Sequence, residues 1–319
     1  MTDVEALTDA FEAHRDHLMA VAYQMLGNRP DAEDAVQEAW LRYAGSDRAA
    51  IVDLRGWLTT VTARICLDVL RSARVRREVH AGPWLERAGY PGPWLPEPVV
   101  RPLGQVPDDD PAERVARLDR VSYALMCVLE QLRPEERVAF VLHDVFAVPF
   151  EEIAHLLDVT PAAARQHASR GRRKVDDAGI QGSHDRAEQE RVLRAFLAAT
   201  ERGDIDALVA VLAPDVVAVG DGGGVLPAAK APVRGALQVA RFMAGLFRQA
   251  RKTAVVAEVV LVNGDLGLLI EAQYPDQRKI RFVMAFATAG GRVTGIFDQL
   301  NPAKLGQLPA PDPARNVLG

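Results

Sequence analysis

Apolar residues recur every three to four positions through the first part of the chain, which is the period of an amphipathic helix. The pattern runs through FEAHRDHLMAVAYQML, DAEDAVQEAWLRY and WLTTVTARICLDVLRSA, and no alternating strand pattern interrupts it. Residues 8–77 are therefore predicted to form an all-α domain. Residues 78–111 contain eight prolines from position 83 onward, a composition that predicts an extended linker rather than a packed domain.

A second all-α domain is predicted for residues 112–178, and its segment 150–174 (FEEIAHLLDVTPAAARQHASRGRRK) indicates two helices around a tight turn. Thr160 is predicted to be the N-cap of the second helix, with Pro161 in its first position, where no N–H is needed. Apolar or small residues share one face of each helix: Ile153, Leu156 and Leu157 in the first, and Ala164, Ala168, Gly171 and Val175 in the second. This arrangement is typical of a helix-turn-helix.

The pattern changes after a polar joint at 179–185. Two short helical stretches lead into β-rich runs, with clear alternation from Val255 to Val262 and turn glycines at Gly264, Gly290 and Gly291. Residues 187–305 are therefore predicted to form an α+β domain, followed by a tail at 306–319.

Composition is that of a globular protein, because 49% of the residues are apolar and 25% are charged. No apolar run approaches the ~18 residues of a membrane span, and the acidic N-terminus MTDVEALTDAFEAH lacks the basic and apolar parts of a signal peptide. We therefore expect a cytoplasmic protein. Cys66 and Cys127 have no CxxC spacing and are expected to be core thiols.

Positive charge is concentrated in two segments, although the net charge of the chain is −5. Five Lys or Arg and no acid lie within 165–174, and six Arg against one Asp lie within 55–77. A basic helix by itself is more often a solvated face, but one that follows a capped turn and an apolar scaffold helix favours DNA binding. The two segments predict two DNA contacts.

An acidic helix is predicted to begin at Asp31, with a capping-box arrangement of Asp31 and Asp34. Glu33, Gln37 and Glu38 then lie along one polar side. Such a side is either an ordinary solvated face, which the segment alone favours, or a docking surface for a basic partner.

In combination, these blocks resemble the extracytoplasmic-function (ECF) sigma factors of bacterial RNA polymerase. The resemblance covers residues 8–177 and rests on the acidic helix at 31–41, WLTTVTARICLDVLR at 57–71, and RPEERVAFVLHD at 133–144, which runs into the helix-turn-helix. It implies two all-α sigma domains, region 2 and region 4, that bind promoter DNA and the β and β′ subunits of the core polymerase. Core-polymerase contacts are implied for Asp31, Glu33, Asp34, Gln37, Glu38 and Leu41.

The resemblance also assigns the two basic segments to two promoter elements. Residues 46–77 are expected to recognise and open the −10 element, because Arg and aromatic side chains suit unpaired bases and a displaced strand. The residues implied there are Arg55, Trp57, Arg64, Arg71 and Arg74. Packing of Trp57 in the helical core is an alternative that stays open. Contacts with the −35 element are implied for Thr160, Arg165, Gln166, Ser169, Arg170, Arg172, Arg173 and Lys174.

Residues 187–305 resemble a SnoaL-like domain, the cone-shaped α+β fold of the nuclear-transport-factor-2 (NTF2) superfamily. Sigma factors with this fusion, a group that includes the mycobacterial sigma J type, carry three motifs that are recognisable here. WLPEPV lies at 94–99; DGGG lies at 221–224 with Val225 in place of Lys and Lys230 as a displaced substitute; NPAKL lies at 301–305 with Ala303 in place of Asp.

The fusion implies a regulatory contact of the extension with the linker and the sigma domains, in place of a separate anti-sigma protein. An apolar linker around residues 94 and 95 is consistent with such a contact, since it favours burial. The residues implied are Trp94, Leu95, Pro96, Glu97, Pro98, Asp221, Gly222, Gly223, Gly224, Asn301, Pro302 and Lys304.

Catalysis by the extension is not expected, because all seven histidines lie at or before His184 and both cysteines precede it. Only carboxylates such as Asp221, Glu271 or Asp298, together with Tyr274, are candidates for proton chemistry there. No cofactor or metal is predicted. His14 and His17 form an HxxH pair without a third ligand in obvious spacing, and both are expected at the surface.

Two alternatives stay open. The cone of the extension could hold a small molecule and act as a sensor. The whole chain could also be a stand-alone helix-turn-helix transcription regulator with a ligand-sensing C-terminal domain. Such a regulator usually dimerises over a palindromic site, whereas two basic segments in one chain and an acidic docking helix favour the sigma factor.

Overall fold

The computed structural model describes residues 3–80, 95–103, 121–178, 185–226, 228–229, 231–276 and 278–318, with the backbone alone for 3–4 and 73–80. These residues belong to two compact units. The helical unit is drawn from Met1–Gly82, Pro107–Val121 and Val128–Asp177, and the sheet unit from Pro83–Val106, Ser122–Cys127 and Ala178–Gly319.

The N-terminal part of the helical unit contains α1 (Asp3–Leu26), α2 (Arg29–Ala44), one 3-10 turn (Arg48–Ala50) and α3 (Leu54–His80). The helices enclose apolar residues that recur at helical spacing, and several of these are almost completely buried: Leu18, Tyr23, Met25, Leu58 and Leu67. The all-α prediction for this part of the chain is confirmed.

The start of α2 differs from the prediction. Oδ1 of Asn28 accepts a hydrogen bond from the N–H of Asp31 at 2.8 Å, and Nδ2 of Asn28 donates to Oδ2 of Asp31 at 2.7 Å. Asn28 is therefore the N-cap and Asp31 is the third helical residue, so the predicted capping box of Asp31 and Asp34 is wrong. Pro30 in the first turn favours this earlier start, because its missing N–H costs no hydrogen bond there.

The C-terminal part of the helical region contains α4 (Tyr123–Leu129), α5 (Pro134–Phe140), a π-helical turn (Val141–Val145), α6 (Phe150–Leu157) and α7 (Pro161–Asp177). The predicted helix-turn-helix is confirmed. Asp158 makes the turn with a positive φ of 57°, and Oγ1 of Thr160 accepts a hydrogen bond from the N–H of Ala163 at 3.2 Å.

A buried arginine joins the two parts of the helical unit. Arg137 on α5 forms an ion pair with Glu130 at 2.6 Å and donates to the backbone oxygen of Gln24 on α1 at 3.3 Å. Because the two charged side chains are only 3% and 7% exposed, each depends on the other for its partner.

The sheet unit contains α8 (Arg186–Arg202), α9 (Ile205–Val211), α10 (Ala236–Ala250) and the short α11 (Pro302–Leu305) beside seven strands. The strands are β1 (Val100–Pro102), β2 (Leu212–Asp221), β3 (Val233–Arg234), β4 (Ala254–Val262), β5 (Asp265–Gln273), β6 (Lys279–Ala289) and β7 (Arg292–Gln299). Their order is β1-β4-β5-β6-β7-β2-β3. The pair β2–β7 is parallel and the other pairs are antiparallel, so the predicted α+β fold is confirmed.

The two faces of the sheet bury different residues. One face, here called the helix face, packs against α8, α9 and α10 through residues that include Phe196, Leu208, Met243, Leu268 and Ile296. The opposite face, here called the linker face, is covered in part by Leu95, Tyr123, Cys127 and Leu305, which contact strand residues such as Phe297.

The described part of the Pro-rich linker is extended, as predicted, but it is packed rather than solvated. Residues 100–102 form β1, an edge strand in which Val100 is paired with Val262 and Pro102 with Val260. An edge strand tolerates Pro because its outer side needs no N–H donor. The tail is also packed, since Oδ1 of Asn316 accepts a hydrogen bond from the N–H of Ala257 on β4 at 2.9 Å.

Candidate functional site

The acidic surface of α2 comprises Asp31, Glu33, Asp34, Gln37, Glu38 and Leu41. Ala32, Ala35, Val36, Ala39 and Tyr43 bury the opposite side of the helix, so the polar side is directed to solvent. Two ion pairs lie within it, from Arg29 to Glu33 at 2.8 Å and from Arg42 to Glu38 at 3.0 Å. Leu41 is 59% exposed at the end of this surface, which gives an apolar group beside the carboxylates.

The basic side of α3 includes only part of the predicted −10 set. Trp57, Arg64 and Arg71 are spaced seven residues apart, so they lie along one side of the helix, and both arginines are exposed. Arg55 is directed elsewhere, and its Nη2 lies 3.4 Å from Nδ1 of His17 on α1. The side chain of Arg74 lies outside the described residues.

Like Arg55, two further members of that set, Arg71 and Trp57, already have contacts. Nη2 of Arg71 lies 3.0 Å from Oε1 of Glu135 on α5, within the helical unit. The ring of Trp57 is half-buried, with its centre 6.1 Å from that of Tyr43, which agrees with the packing alternative for this side chain.

Small residues bring α7 close to its scaffold. Ala164, Ala168 and Gly171 are buried, and a Cβ on Gly171 would lie 3.1 Å from Cβ of Phe140 and 3.2 Å from the backbone oxygen of Glu136. Any larger residue at 171 would therefore push α7 away from α5.

Two groups of exposed side chains on α7 are here called the stripe and the flank. The stripe is formed by Gln166, Ser169, Arg170 and Arg173, whose side chains form no ion pair or hydrogen bond with a described residue. The flank is formed by Arg165 and Arg172, which pair with Glu151 at 3.1 Å and with Asp144, respectively. Thr160 is occupied as the N-cap.

Lys174 ends the basic run and lies against a buried carboxylate. Its Nζ donates to Oε2 of Glu136 at 2.7 Å. Burial opposes ionisation of Glu136, but the hydrogen bonds from Lys174 and from the N–H of Arg133 outweigh it, so the pKa of Glu136 lies below its ordinary value. Lys174 therefore contributes to the packing of α7 as well as to its charge.

A second site, here called the linker site, holds the linker on the sheet unit. Oδ2 of Asp221 accepts hydrogen bonds from the N–H of Leu95 at 3.0 Å and from Nζ of Lys304 at 2.8 Å. Nζ of Lys304 also donates to the backbone oxygen of Leu95. Nε2 of Gln299 donates to the backbone oxygens of Leu95 and Pro96, each at 3.1 Å.

The linker site is buried, because Asp221, Gln299 and Leu95 are 2%, 0% and 2% exposed. Both polar backbone groups of Leu95 are satisfied there, which a buried linker requires. Further along, Oδ1 of Asn263 accepts from the N–H of Val99 at 3.0 Å, and the hydroxyl of Tyr123 donates to the backbone oxygen of Pro96 at 2.7 Å.

Within the motif at 221–224, Asp221 contacts the linker, whereas Gly222 and Gly223 shape the site. A Cβ on Gly222 would lie 2.0 Å from the backbone oxygen of Leu226, and one on Gly223, where φ is 61°, would lie 2.4 Å from the side chain of Asn301. The N–H of Gly223 donates to Oδ1 of Asp221 at 2.8 Å, which orients that carboxylate.

The NPAKL motif places Lys304. Asn301 is the N-cap of α11, since its Oδ1 accepts from the N–H of Ala303 at 3.1 Å, and Pro302 lies in the first turn. Of the other residues predicted for the regulatory contact, Pro98 is buried and Glu97 half-buried, whereas Trp94 lies outside the described residues, as does Lys230.

Sequence reasoning missed Gln299, Asn263 and Tyr123. Each is a single polar or aromatic residue at the end of a strand or helix, without a motif around it. Only the unpaired backbone groups of a buried linker would have indicated that such partners exist.

The carboxylates considered for proton chemistry are in different surroundings. Hydrogen bonds from Arg281, at 2.7 Å, and from Lys279 hold the pKa of Glu271 below its ordinary value. Burial raises the pKa of Asp298 to about 7. Asp298 and Tyr274 line one cavity of the helix face, and neither Asp221 nor Glu271 lines it.

Two smaller expectations are decided by the structure. Cys66 and Cys127 are buried free thiols, as predicted, and burial raises the pKa of the Cys66 thiol. The expectation that His17 lies at the surface is wrong: it is 8% exposed, and its Nε2 lies 3.0 Å from Oγ1 of Thr59, because its side of α1 faces α3.

No cluster of three or more His, Cys, Asp or Glu side chains among the described residues could hold a metal ion. None of the helices described is both long and apolar enough to cross a membrane.

Three family models match the chain: sigma-70 region 2 over residues 10–76, sigma-70 region 4 over residues 122–175, and a SnoaL-like domain over residues 193–296. The ECF RNA polymerase sigma factor SigJ of Mycobacterium tuberculosis is 45% identical over 301 residues, which cover 92% of this chain and 91% of that protein. The probable ECF RNA polymerase sigma factor SigI of M. tuberculosis is 34% identical over 319 residues, which cover 100% of this chain and 99% of that protein.

The crystal structure of M. tuberculosis SigJ superposes with a TM-score of 0.69 and 40% sequence identity, over 94% of this chain and 98% of that chain. These likenesses extend through both sigma regions and the C-terminal domain, which favours a sigma factor over a stand-alone helix-turn-helix regulator. The chain therefore belongs to the ECF sigma factors of RNA polymerase, with a C-terminal SnoaL-like domain, and directs promoter-specific initiation of transcription.

Proposed function

We propose that this ECF sigma factor is regulated from within its own chain, by a SnoaL-like domain that holds the linker between region 2 and region 4. One observation carries the proposal. The backbone of Leu95 is bound at both of its polar groups by Asp221, Lys304 and Gln299 in a buried site.

Holding the linker has a consequence for promoter recognition. The two promoter elements lie at a distance that the polymerase sets, so the two sigma regions must reach both elements at once. A linker fixed at residues 95–102 leaves less chain free to span that distance. The domain therefore acts in the manner of an anti-sigma protein, and release of the linker raises activity.

The acidic surface of α2 is the proposed docking site for the core polymerase, on its β and β′ subunits. Its carboxylates are exposed and its ion pairs are solvent-screened, so a basic partner can exchange with Arg29 and Arg42 at little cost. Leu41 adds an apolar contact at the end of that surface. Since this partner and the chromosome share one compartment, the proposed place of action is the cytoplasm.

Two kinds of promoter contact, to bases and to phosphates, are proposed for α7. Gln166, Ser169, Arg170 and Arg173 read the −35 element, since they are exposed on one side of α7 and otherwise unengaged among the described residues. Arg165, Arg172 and Lys174 bind phosphates after exchanging their carboxylate partners, and Thr160 positions the helix.

On α3, Arg64 and Arg71 are the proposed phosphate contacts at the −10 element. Trp57 lies on the same side of the helix and is proposed to contact an unpaired base. Arg55 and Arg74 are proposed as further contacts with the same element. Arg71 must first leave Glu135, with which it is paired in the helical unit.

The SnoaL-like domain is proposed to have no catalytic activity. Its candidate proton-transfer groups are either engaged in ion pairs, as Asp221 and Glu271 are, or lie in a cavity without a second buried acid or base among the described lining residues, as Asp298 does.

Run-off transcription with core polymerase tests the proposal. Chains ending after residue 186 and after residue 300 both lack Lys304 and α11, and the longer one keeps the sheet. We expect both to change the amount of promoter-dependent transcript, and the longer one to raise it. Equal transcript from both truncations and the full chain would rule out regulation by the extension, while leaving the sigma activity itself intact.

A further inference from the structure

The helix face of the sheet unit contains a cavity of about 370 Å³. This volume lies within the ~300–1,000 Å³ range of small-molecule sites. Apolar side chains from α10 and from the strands form most of its wall, among them Phe242, Phe247, Ile270, Phe282 and Met284. Leu246, which is 38% exposed, lies at its rim, so the cavity is reached from solvent.

Asp298 carries the only carboxyl among the described residues that line this cavity, and no Lys, Arg or His lies among them. Asp298 is 7% exposed, and its Oδ1 has no hydrogen-bond partner among the residues that the structure describes. Its neighbours on the adjoining strands are Met284 on β6 and Gly220 on β2, neither of which offers a polar side chain. A buried carboxyl without a partner is costly unless something in the cavity satisfies it.

The remaining polar side chains of the described lining do not supply that partner. Oγ1 of Thr253 donates to the backbone oxygen of Ala250 at 2.7 Å, and Gln249 is exposed at the C-terminal end of α10. Tyr274 is half-buried, with Arg278 lying 5.5 Å from the centre of its ring. Tyr274 is also the only other titratable group of that lining.

We propose that this cavity binds a neutral, largely apolar ring compound whose carbonyl oxygen accepts a hydrogen bond from the protonated carboxyl of Asp298. The apolar wall selects against a charged ligand, because a charge would lose its hydration without gaining a counter-ion. Burial raises the pKa of Asp298 to about 7, so the protonated donor is present near neutral pH.

Adjacent residues at the end of β7 belong to the cavity and to the linker site. Asp298 faces the cavity, while Gln299 faces the linker face and holds the backbone oxygens of Leu95 and Pro96. Asp221, which is paired with Gln299 across β2 and β7, follows Gly220 of the cavity wall. We therefore expect an occupied cavity to stiffen the ends of β2 and β7 and to hold the linker more tightly. The regulatory meaning of this coupling rests on the function proposed above, whereas ligand binding does not.

The test uses the full chain and the neutral fluorescent ketone 6-propionyl-2-(dimethylamino)naphthalene, whose emission shifts to the blue in an apolar site. We expect one bound molecule per chain. Because only protonated Asp298 donates, a folded-state pKa of about 7 predicts a dissociation constant about 30-fold weaker at about pH 8.5 than at about pH 6.

Three variants locate the site. Asp298→Asn keeps a donor but cannot titrate, so its affinity should not change with pH. Asp298→Leu loses the hydrogen bond and should bind about tenfold more weakly at about pH 6. Ala272→Phe fills the cavity from β5 and should abolish binding while leaving Asp298 in place.

Two controls belong to this experiment. Asp206→Asn removes an exposed carboxylate on α9, and Tyr274→Phe removes the other titratable group, and both should keep the pH profile of the parent chain. The proposal is overturned if the ketone fails to bind at about pH 6, or if Asp298→Leu and Ala272→Phe bind it as the parent does.

Amide hydrogen exchange tests the coupling separately. The N–H groups of Leu95 and Val99 should exchange more slowly when the ketone saturates the parent chain, and should not respond in Ala272→Phe. Unchanged exchange in the parent would overturn the coupling. Neither result depends on polymerase, so failure of this inference is distinguishable from failure of the proposed function in the transcription assay.

Discussion

The exposed helix surfaces of the helical unit and the linker site of the sheet unit use charge in opposite ways. On α2 and α7 the charged side chains are exposed, and their ion pairs, such as Arg165–Glu151 with side chains 54% and 67% exposed, are open to water. In the sheet unit the ion pair Lys304–Asp221 has side chains only 10% and 2% exposed. Exposed pairs typically contribute about 0–1 kcal/mol, whereas breaking a buried pair costs about 3–5 kcal/mol.

The difference indicates what each region is built to do. Weak, solvated pairs can be exchanged for the carboxylates or phosphates of a large charged partner, so the helical surfaces suit the polymerase and DNA. A buried pair that binds a backbone segment holds one geometry until something displaces it. The sheet unit is therefore suited to restraining the linker, and the following predictions test this contrast.

The largest effect is expected for charge reversal on the acidic surface. Glu33→Lys together with Asp34→Lys should weaken binding of core polymerase by about 100-fold or more, because like charges across an interface cost several kcal/mol. Both side chains are exposed, so thermal melting should stay that of the parent chain. Glu12→Lys, an exposed reversal on α1, is the matched control and should bind as the parent does. Full affinity of the double variant would refute the assignment of this surface.

The next effect separates the stripe of α7 from its flank. Arg170→Ala with Arg173→Ala should reduce promoter binding by the holoenzyme by about tenfold or more, whereas Arg165→Ala with Arg172→Ala should reduce it less. The flanking arginines are already paired with Glu151 and Asp144, so part of their charge is offset. Filter binding over a range of salt concentrations measures both. A larger loss from the flank than from the stripe would contradict the assignment.

A smaller effect, on the stability of the sheet unit, is expected when Asp298 is replaced. The folded-state pKa of Asp298, about 7, exceeds the ordinary value of 3.8, so the folded form binds the extra proton between these values and the stability of the parent chain falls as pH rises through them. Asp298→Asn removes this loss. The free energy of unfolding of Asp298→Asn, relative to that of the parent chain, should rise by about 2 kcal/mol from pH 5.5 to pH 8, measured by chemical denaturation. An advantage that does not depend on pH would show that Asp298 is ionised throughout.

Helical surfaces were predictable from the sequence because helical period fixes which residues share a side. Spacing alone predicts that Glu33, Gln37 and Glu38 lie along one polar side of α2 and that Ala164, Ala168 and Gly171 share one face of α7. The start of α2 was missed because Asn28 lies before Arg29-Pro30 rather than directly before an apolar residue. Asn28 caps the helix by accepting one hydrogen bond from the N–H of Asp31. A single contact of this kind produces no sequence pattern that extends over several residues.

The linker site and the cavity were not predictable in the same way. Leu95 contacts residues more than 120 positions away, so no local pattern relates it to Gln299 or Lys304. Motifs at 221–224 and 301–305 indicated that Asp221 and Lys304 matter, but not that they bind each other. The isolation of Asp298 depends on which strands adjoin β7, and the parallel pairing with β2 is visible only in the fold.

The most direct test of the account is run-off transcription with the full chain in which Asp221→Asn and Lys304→Met are combined. This double variant removes the buried pair without leaving a lone buried charge, and Lys279→Met, which removes a pair on the same sheet away from the linker, is its control. Release of the linker should raise the transcript yield on the order of tenfold, the equivalent of one or two charge-assisted hydrogen bonds, while the control equals the parent chain. Equal yields from the double variant, the control and the parent, with all three folded by thermal melting, would contradict the claim that the SnoaL-like domain restrains this sigma factor through its linker.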